Sequence, residues 1–92
     1  MPVVMIPALL RDLTGGVASV QVTGASVREV IVQLEARFPG VQARLCEDGQ
    51  LRPTISVIVD GAASPQRLRQ KLQENSEVHF LPAISGGSKE IF

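Results

Sequence analysis

Apolar positions recur along this chain with two different periods. In Ser26–Gly40 (SVREVIVQLEARFPG), Val27, Val30, Ile31, Leu34 and Phe38 fall at i, i+3, i+4, i+7 and i+11, a single stripe on a helix of 3.6 residues per turn. Ser26 is a good N-cap, with Glu29 three residues on as in a capping box. Pro39-Gly40 ends the helix. The flanking segments read as strands. Val3-Val4-Met5-Ile6-Pro7 is a short run rich in β-branched residues, the mark of a strand covered on both faces. Val17, Val20 and Val22 predict a second strand, and the intervening Gly15-Gly16 reads as a hairpin turn. In TISVIVDG, Ile55, Val57 and Val59 share one face and Ser56 and Ile58 the other, and Asp60-Gly61 signals a tight turn. EVHFLP predicts a last strand, with Val78 and Phe80 opposed to His79 and Leu81. Residues 41–53 read as a connection with a short turn of helix, ending at Asp48-Gly49, and residues 65–72 as a short helix carrying Leu68 and Leu72.

Hairpin, helix, strand, short helix, strand is the order of an α+β two-layer domain, with one main helix on one face of a mixed sheet. A single helix leaves the second face of such a sheet uncovered. Yet Val3 and Met5 back Val4 and Ile6, Ile58 backs Val57, and Leu81 backs Phe80. Two explanations are open: loops bury the strand ends, or the second face is a partner site.

Composition narrows the function class. The 92 residues make one domain, 45% hydrophobic and 20% charged, whose only aromatic residues are three Phe. Nine basic and nine acidic residues give zero net charge, against a general nucleic-acid binder. No apolar run is long enough to cross a membrane, and the N-terminus has no signal-peptide pattern. A single Cys cannot form an internal disulfide. The expectation is a small cytoplasmic domain.

Chemistry of its own is hard to find. The one His and one Cys stand far apart in sequence, and no metal-ligand spacing occurs. Cys46 and His79 are a nucleophile–base pair only if the fold brings them together, and nothing in the sequence does. The glycine pairs lack the strand-to-helix setting and Lys-Ser/Thr of a phosphate loop. What remains is the terminus, LPAISGGSKEIF. Gly86-Gly87 is either a linker to a frayed end, or an unhindered arm that carries a reactive carboxylate into another enzyme's channel. The second reading needs Ser88–Phe92 removed, and composition alone favours the first.

Four stretches, IPALLRDLTGG, SVREVIVQLEARFPGVQARL, LRPTISVIVDG and VHFLPAISGG, tip that balance. In this order and at this length the chain resembles the ubiquitin-like sulfur carrier family, which includes the small subunit of molybdopterin synthase and the thiamine-pathway carrier. It looks closest to the branch serving cysteine biosynthesis. The resemblance implies a β-grasp domain over residues 1–83, with four to five strands, and a flexible tail over 84–92. It also implies a protein cosubstrate in place of an enzyme, with no bound cofactor or metal. A ubiquitin-activating-like adenylyltransferase would use ATP to adenylate the C-terminal glycine, which is then converted to a thiocarboxylate. Gly87 would carry the adenylate and the sulfur, Gly86 would give clearance, and Ile84 and Ser85 would thread the channel. Ile58 and Leu81 would dock partners. A sulfur-accepting enzyme follows, such as a cysteine synthase or the large subunit of molybdopterin synthase. The departure is SKEIF: family members generally end at the second glycine. Cleavage between Gly87 and Ser88 by a JAMM-type metalloprotease would expose it. The alternatives are a molybdopterin synthase small subunit, a ubiquitin-like protein modifier, and a non-carrier interaction module.

Overall fold

The computed structural model describes residues 1–82. In chain order it contains β1 (Val3–Met5), a 3-10 turn (Ala8–Leu10), β2 (Ser19–Gln21), α1 (Val27–Arg37), α2 (Val41–Leu45), β3 (Cys46–Glu47), β4 (Gln50–Leu51), β5 (Ile55–Val59), β6 (Ala62–Ala63), a second 3-10 turn (Arg67–Arg69) and β7 (Glu77–Pro82). Helix α1 forms where the 3.6-residue period places it. Its cap is the expected box: Ser26 Oγ accepts from the Glu29 N–H at 3.3 Å. The return bond lands one residue earlier than the cap, with Glu29 Oε1 accepting from the Ala25 N–H at 2.9 Å. Such a cap is worth about 1 kcal/mol. Val27, Val30, Ile31 and Leu34 are buried, and Phe38 packs at the edge of the same core.

The stripe of α1 is buried against one face of a five-stranded sheet of order β2-β1-β7-β5-β6. Strands β1 and β7 run parallel, and every other neighbouring pair is antiparallel. Val4, Val20, Val57, Val78 and Phe80 point from this sheet into the helix layer. Each such side chain contributes roughly 1.5–3 kcal/mol by leaving water. This is the mixed sheet with one covering helix that the α+β reading expects.

The connections depart from the expectations. Gly15-Gly16 is not a tight hairpin turn. Register pairs Met5 with Ser19, so residues 6–18 all belong to the loop, and Val17 lies in it exposed. The cause is Leu10, which the 3-10 turn drives fully into the core. The glycines then close the loop at φ 67° and 90°. Residues 41–53 hold more than a turn of helix. Leu45 and Leu51 both bury, and Asp48 and Gly49, at φ 56° and 76°, turn β3 back onto β4. Consecutive positive φ values are the geometry of a two-residue hairpin. Asp60-Gly61 does the same between β5 and the unexpected β6. The short helix at 65–72 shrinks to the 3-10 turn, because Arg67 sits at φ 55°, outside right-handed helical space. Leu68 is still buried, and Leu72 packs against the core.

Candidate functional site: the outer sheet face and the strand that leads to the tail

Alternation along β7 fixes what the uncovered face presents. Val78 and Phe80 are fully buried on the helix side, so Glu77, His79 and Leu81 point outward. The register extends this face sideways. His79 is paired with Met5 of β1 and with Ile58 of β5, which pair in turn with Ser19 and Ala63. One row thus crosses all five strands, with Met5, His79 and Ile58 at its centre. Two residues further along β7, Leu81 stands opposite Ser56, 44% exposed. Ile58 and Leu81 are therefore diagonal neighbours, roughly 7–8 Å apart, and belong to one patch. Val3 adds apolar surface beside Glu77.

The polar element of this patch is His79, whose Nε2 lies 3.0 Å from Glu77 Oε2. With the imidazole partly and the carboxylate about half exposed, the pair orients the imidazole and adds little stability. Cys46 is elsewhere: it caps α2, begins β3 and packs against the core, on the helix side of the sheet. The fold does not bring the lone Cys and the lone His together. Burial pushes the Cys46 thiol up, and Arg28 and Arg52 pull the other way more weakly, so it is no activated nucleophile. Among the described residues, no group of three or more His, Cys, Asp or Glu side chains is placed to hold a metal ion.

The route to the terminus is set by topology. Strand β7 is the middle strand of the sheet, gripped by β1 over Glu77–His79 and by β5 up to the Ile55–Pro82 pair. The chain therefore leaves for its Gly-Gly pair from the best-anchored strand of the domain. Ile84, Ser85, Gly86, Gly87 and Ser88, and the boundary expected at 83–84, lie outside the described residues. Of the expected site residues, the structure places Ile58 and Leu81, and it brings them together. The sequence offered His79 only as a base for Cys46 and Met5 only as part of the second face; that the two meet in one row was not legible, because a parallel β1–β7 pairing has no signature in a single chain.

The chain matches the ThiS family over residues 4–87. The sulfur carrier protein CysO of Mycobacterium tuberculosis is 33% identical over 89 residues, which cover 91% of this chain and 96% of that protein. Small archaeal modifier protein 3 of Haloferax volcanii is 31% identical over 65 residues, 68% of this chain and 71% of that protein. Among solved structures, a chain of the Amycolatopsis orientalis BexX/CysO complex superposes with a TM-score of 0.84 at 36% identity, covering 95% of this chain and 100% of that one. Sheet order, central parallel pair and single covering helix are thus those of a β-grasp domain, and the chain belongs to the ThiS family of ubiquitin-like sulfur carrier proteins.

Proposed function

We propose that this protein is a sulfur carrier whose working group is the carboxylate of Gly87. Water-mediated cleavage of the Gly87–Ser88 bond, by a JAMM-type metalloprotease, exposes that carboxylate and releases residues 88–92. A ubiquitin-activating-like adenylyltransferase then directs one carboxylate oxygen at the α-phosphorus of ATP, giving the acyl-adenylate and pyrophosphate. Hydrosulfide-level sulfur displaces AMP and leaves a thiocarboxylate. The thiocarboxylate passes its sulfur to an acceptor held by a partner enzyme, in cysteine biosynthesis or on the large subunit of molybdopterin synthase. The domain supplies no catalytic group. It positions the arm, with Gly86 giving clearance and Ile84 and Ser85 threading the channel, and it docks through Ile58, Leu81 and their neighbours.

The observation that carries this reading is where the family match stops. It runs to residue 87, the second glycine, and leaves SKEIF outside. The likeness to CysO proteins favours cysteine as the destination. The test is the intact mass of the protein from its own cells, with the C-terminal peptide sequenced. Chains ending at Gly87, a fraction carrying sulfur in place of one oxygen, are expected. A population ending only at Phe92 while the pathway runs would sink the proposal. A second reading, conjugation of Gly87 to lysines as a protein modifier, is favoured by the likeness to the archaeal modifier. It predicts higher-mass adducts that disappear when Gly86-Gly87 is deleted.

A further inference from the structure

On the helix side of the molecule, away from the outer sheet face, a cleft of about 400 Å³ lies between the first turn of α1, the β3–β4 hairpin and the second 3-10 turn. Arg28, Arg67 and Arg69 line it over a floor of Leu51 and Leu68, and no carboxylate does. Glu47 and Asp48 face the adjoining depression, where Glu47 is committed to Arg52 at 3.4 Å. None of the three cleft arginines has a carboxylate partner among the described residues. Two of them are held by backbone carbonyls instead. Arg67 Nη2 donates to Arg52 O at 2.7 Å and to Leu51 O at 3.3 Å, and Arg28 Nη2 to Gly49 O at 3.5 Å. Carbonyl acceptors fix a guanidinium without cancelling its charge, and each guanidinium retains further donors. Arg67 is moreover held at φ 55°, a backbone conformation that non-glycine residues adopt only at a cost.

Charge selects the ligand. Arg28 is anchored at Gly49 O in the turn of the hairpin and Arg67 chiefly at Arg52 O just past its second strand, and Arg69 lines the same cleft. Positive charge spread over three separately held side chains suits a ligand with several negative groups along its length. An extended peptide with acidic residues at alternate positions carries its carboxylates on one side. We infer that this cleft docks an extended acidic segment of a partner protein, with carboxylates meeting Arg28 and Arg67. Arg69 adds charge at the mouth, Leu51 and Leu68 take the intervening apolar contact, and Gln50 and Gln66 face the peptide backbone. The inference stands apart from the carrier proposal, because neither the cleft nor its test involves Gly87.

The test is an amide-shift titration of the isotope-labelled full chain with three probes at matched ionic strength. These are a synthetic peptide with Glu at alternate positions, its Gln counterpart, and inorganic phosphate. Saturable shifts at Arg28, Gly49–Leu51 and Gln66–Arg69 with the Glu peptide alone are expected, weakening with salt. Arg28→Gln and Arg69→Gln change exposed side chains, so the fold survives, and each is expected to weaken binding roughly tenfold. Equal shifts from the Gln peptide, tighter saturation by phosphate, or shifts confined to other residues would each overturn the inference.

Discussion

At the scale of single residues, two positions translate directly into measurement. Gly24 precedes α1 at φ 155°, and a Cβ there would lie 2.9 Å from Val30 Cγ2 and 3.0 Å from the Val30 backbone nitrogen. The side-chain atom is fully buried and the backbone atom lies inside the helix, so neither can retreat. Gly24→Ala is expected to destabilise the domain by about 1–3 kcal/mol, read as a lower urea midpoint at unchanged slope. The second position is Asp12, where the Arg44 guanidinium, at 2.9 Å, holds the carboxyl below the usual carboxylate range. A carboxyl depressed in the folded state stabilises above its unfolded pKa and loses that contribution as pH falls through its folded pKa. A carboxyl-carbon NMR titration should therefore show Asp12 ionising at lower pH than an ordinary Asp, and moving up toward the ordinary range in Arg44→Gln. Because both groups are exposed, the accompanying change in stability is small.

At the scale of elements, the turns carry more structure than their length suggests. Asp60 occupies φ 52°, and its carboxylate accepts from Ser76 Oγ at 3.0 Å and from the Glu77 N–H at 2.8 Å. One side chain thus ties the end of β5 to the start of the central strand. Asp60→Gly loses the two bonds and keeps the backbone conformation, at a cost of about 1–2 kcal/mol. Asp60→Ala loses the same bonds but keeps a Cβ in left-handed space, which the Gly variant sheds, and should cost about 1 kcal/mol more than it. Equal urea midpoints for the two variants would mean that the backbone term has been misjudged. The same dipeptide, Asp-Gly, builds the β3–β4 hairpin. The Asp60 turn was legible in sequence, because a clear strand precedes it. The Asp48 turn was read only as the end of a connection, because two-residue strands have no periodicity to detect.

For the whole molecule, legibility follows the range of the interactions responsible. Helix α1 is written in local signals: a cap, a stripe and a Pro-Gly stop. The inward and outward parities of β5 and β7 are equally local, which is why Ile58 and Leu81 could be placed on one face before any pairing was known. The row Met5–His79–Ile58 depends on a parallel pairing across more than seventy residues, and no spacing in the chain encodes it. Gly15-Gly16 misled because a glycine pair between two strand-like runs suits a tight turn or a long loop equally. Burial of Leu10 decided for the loop, and that is a tertiary fact. The arginine cleft was illegible for a related reason, since Arg28, Arg67 and Arg69 converge only once the β3–β4 hairpin exists.

The central position of β7 has a consequence for how the protein comes into being. A sheet whose middle strand is residues 77–82 cannot close while those residues are still unsynthesised or held in the ribosomal tunnel. Until then β1 has only β2 beside it and β5 only β6, and neither two-stranded piece is stable in water. Folding therefore waits on long-range pairing, and synthesis delivers the glycine arm at the same moment as the strand that completes the body. Chains truncated before residue 77 lack both. A chain broken before residue 77 thus loses the middle strand of its sheet and the Gly86-Gly87 pair in one event.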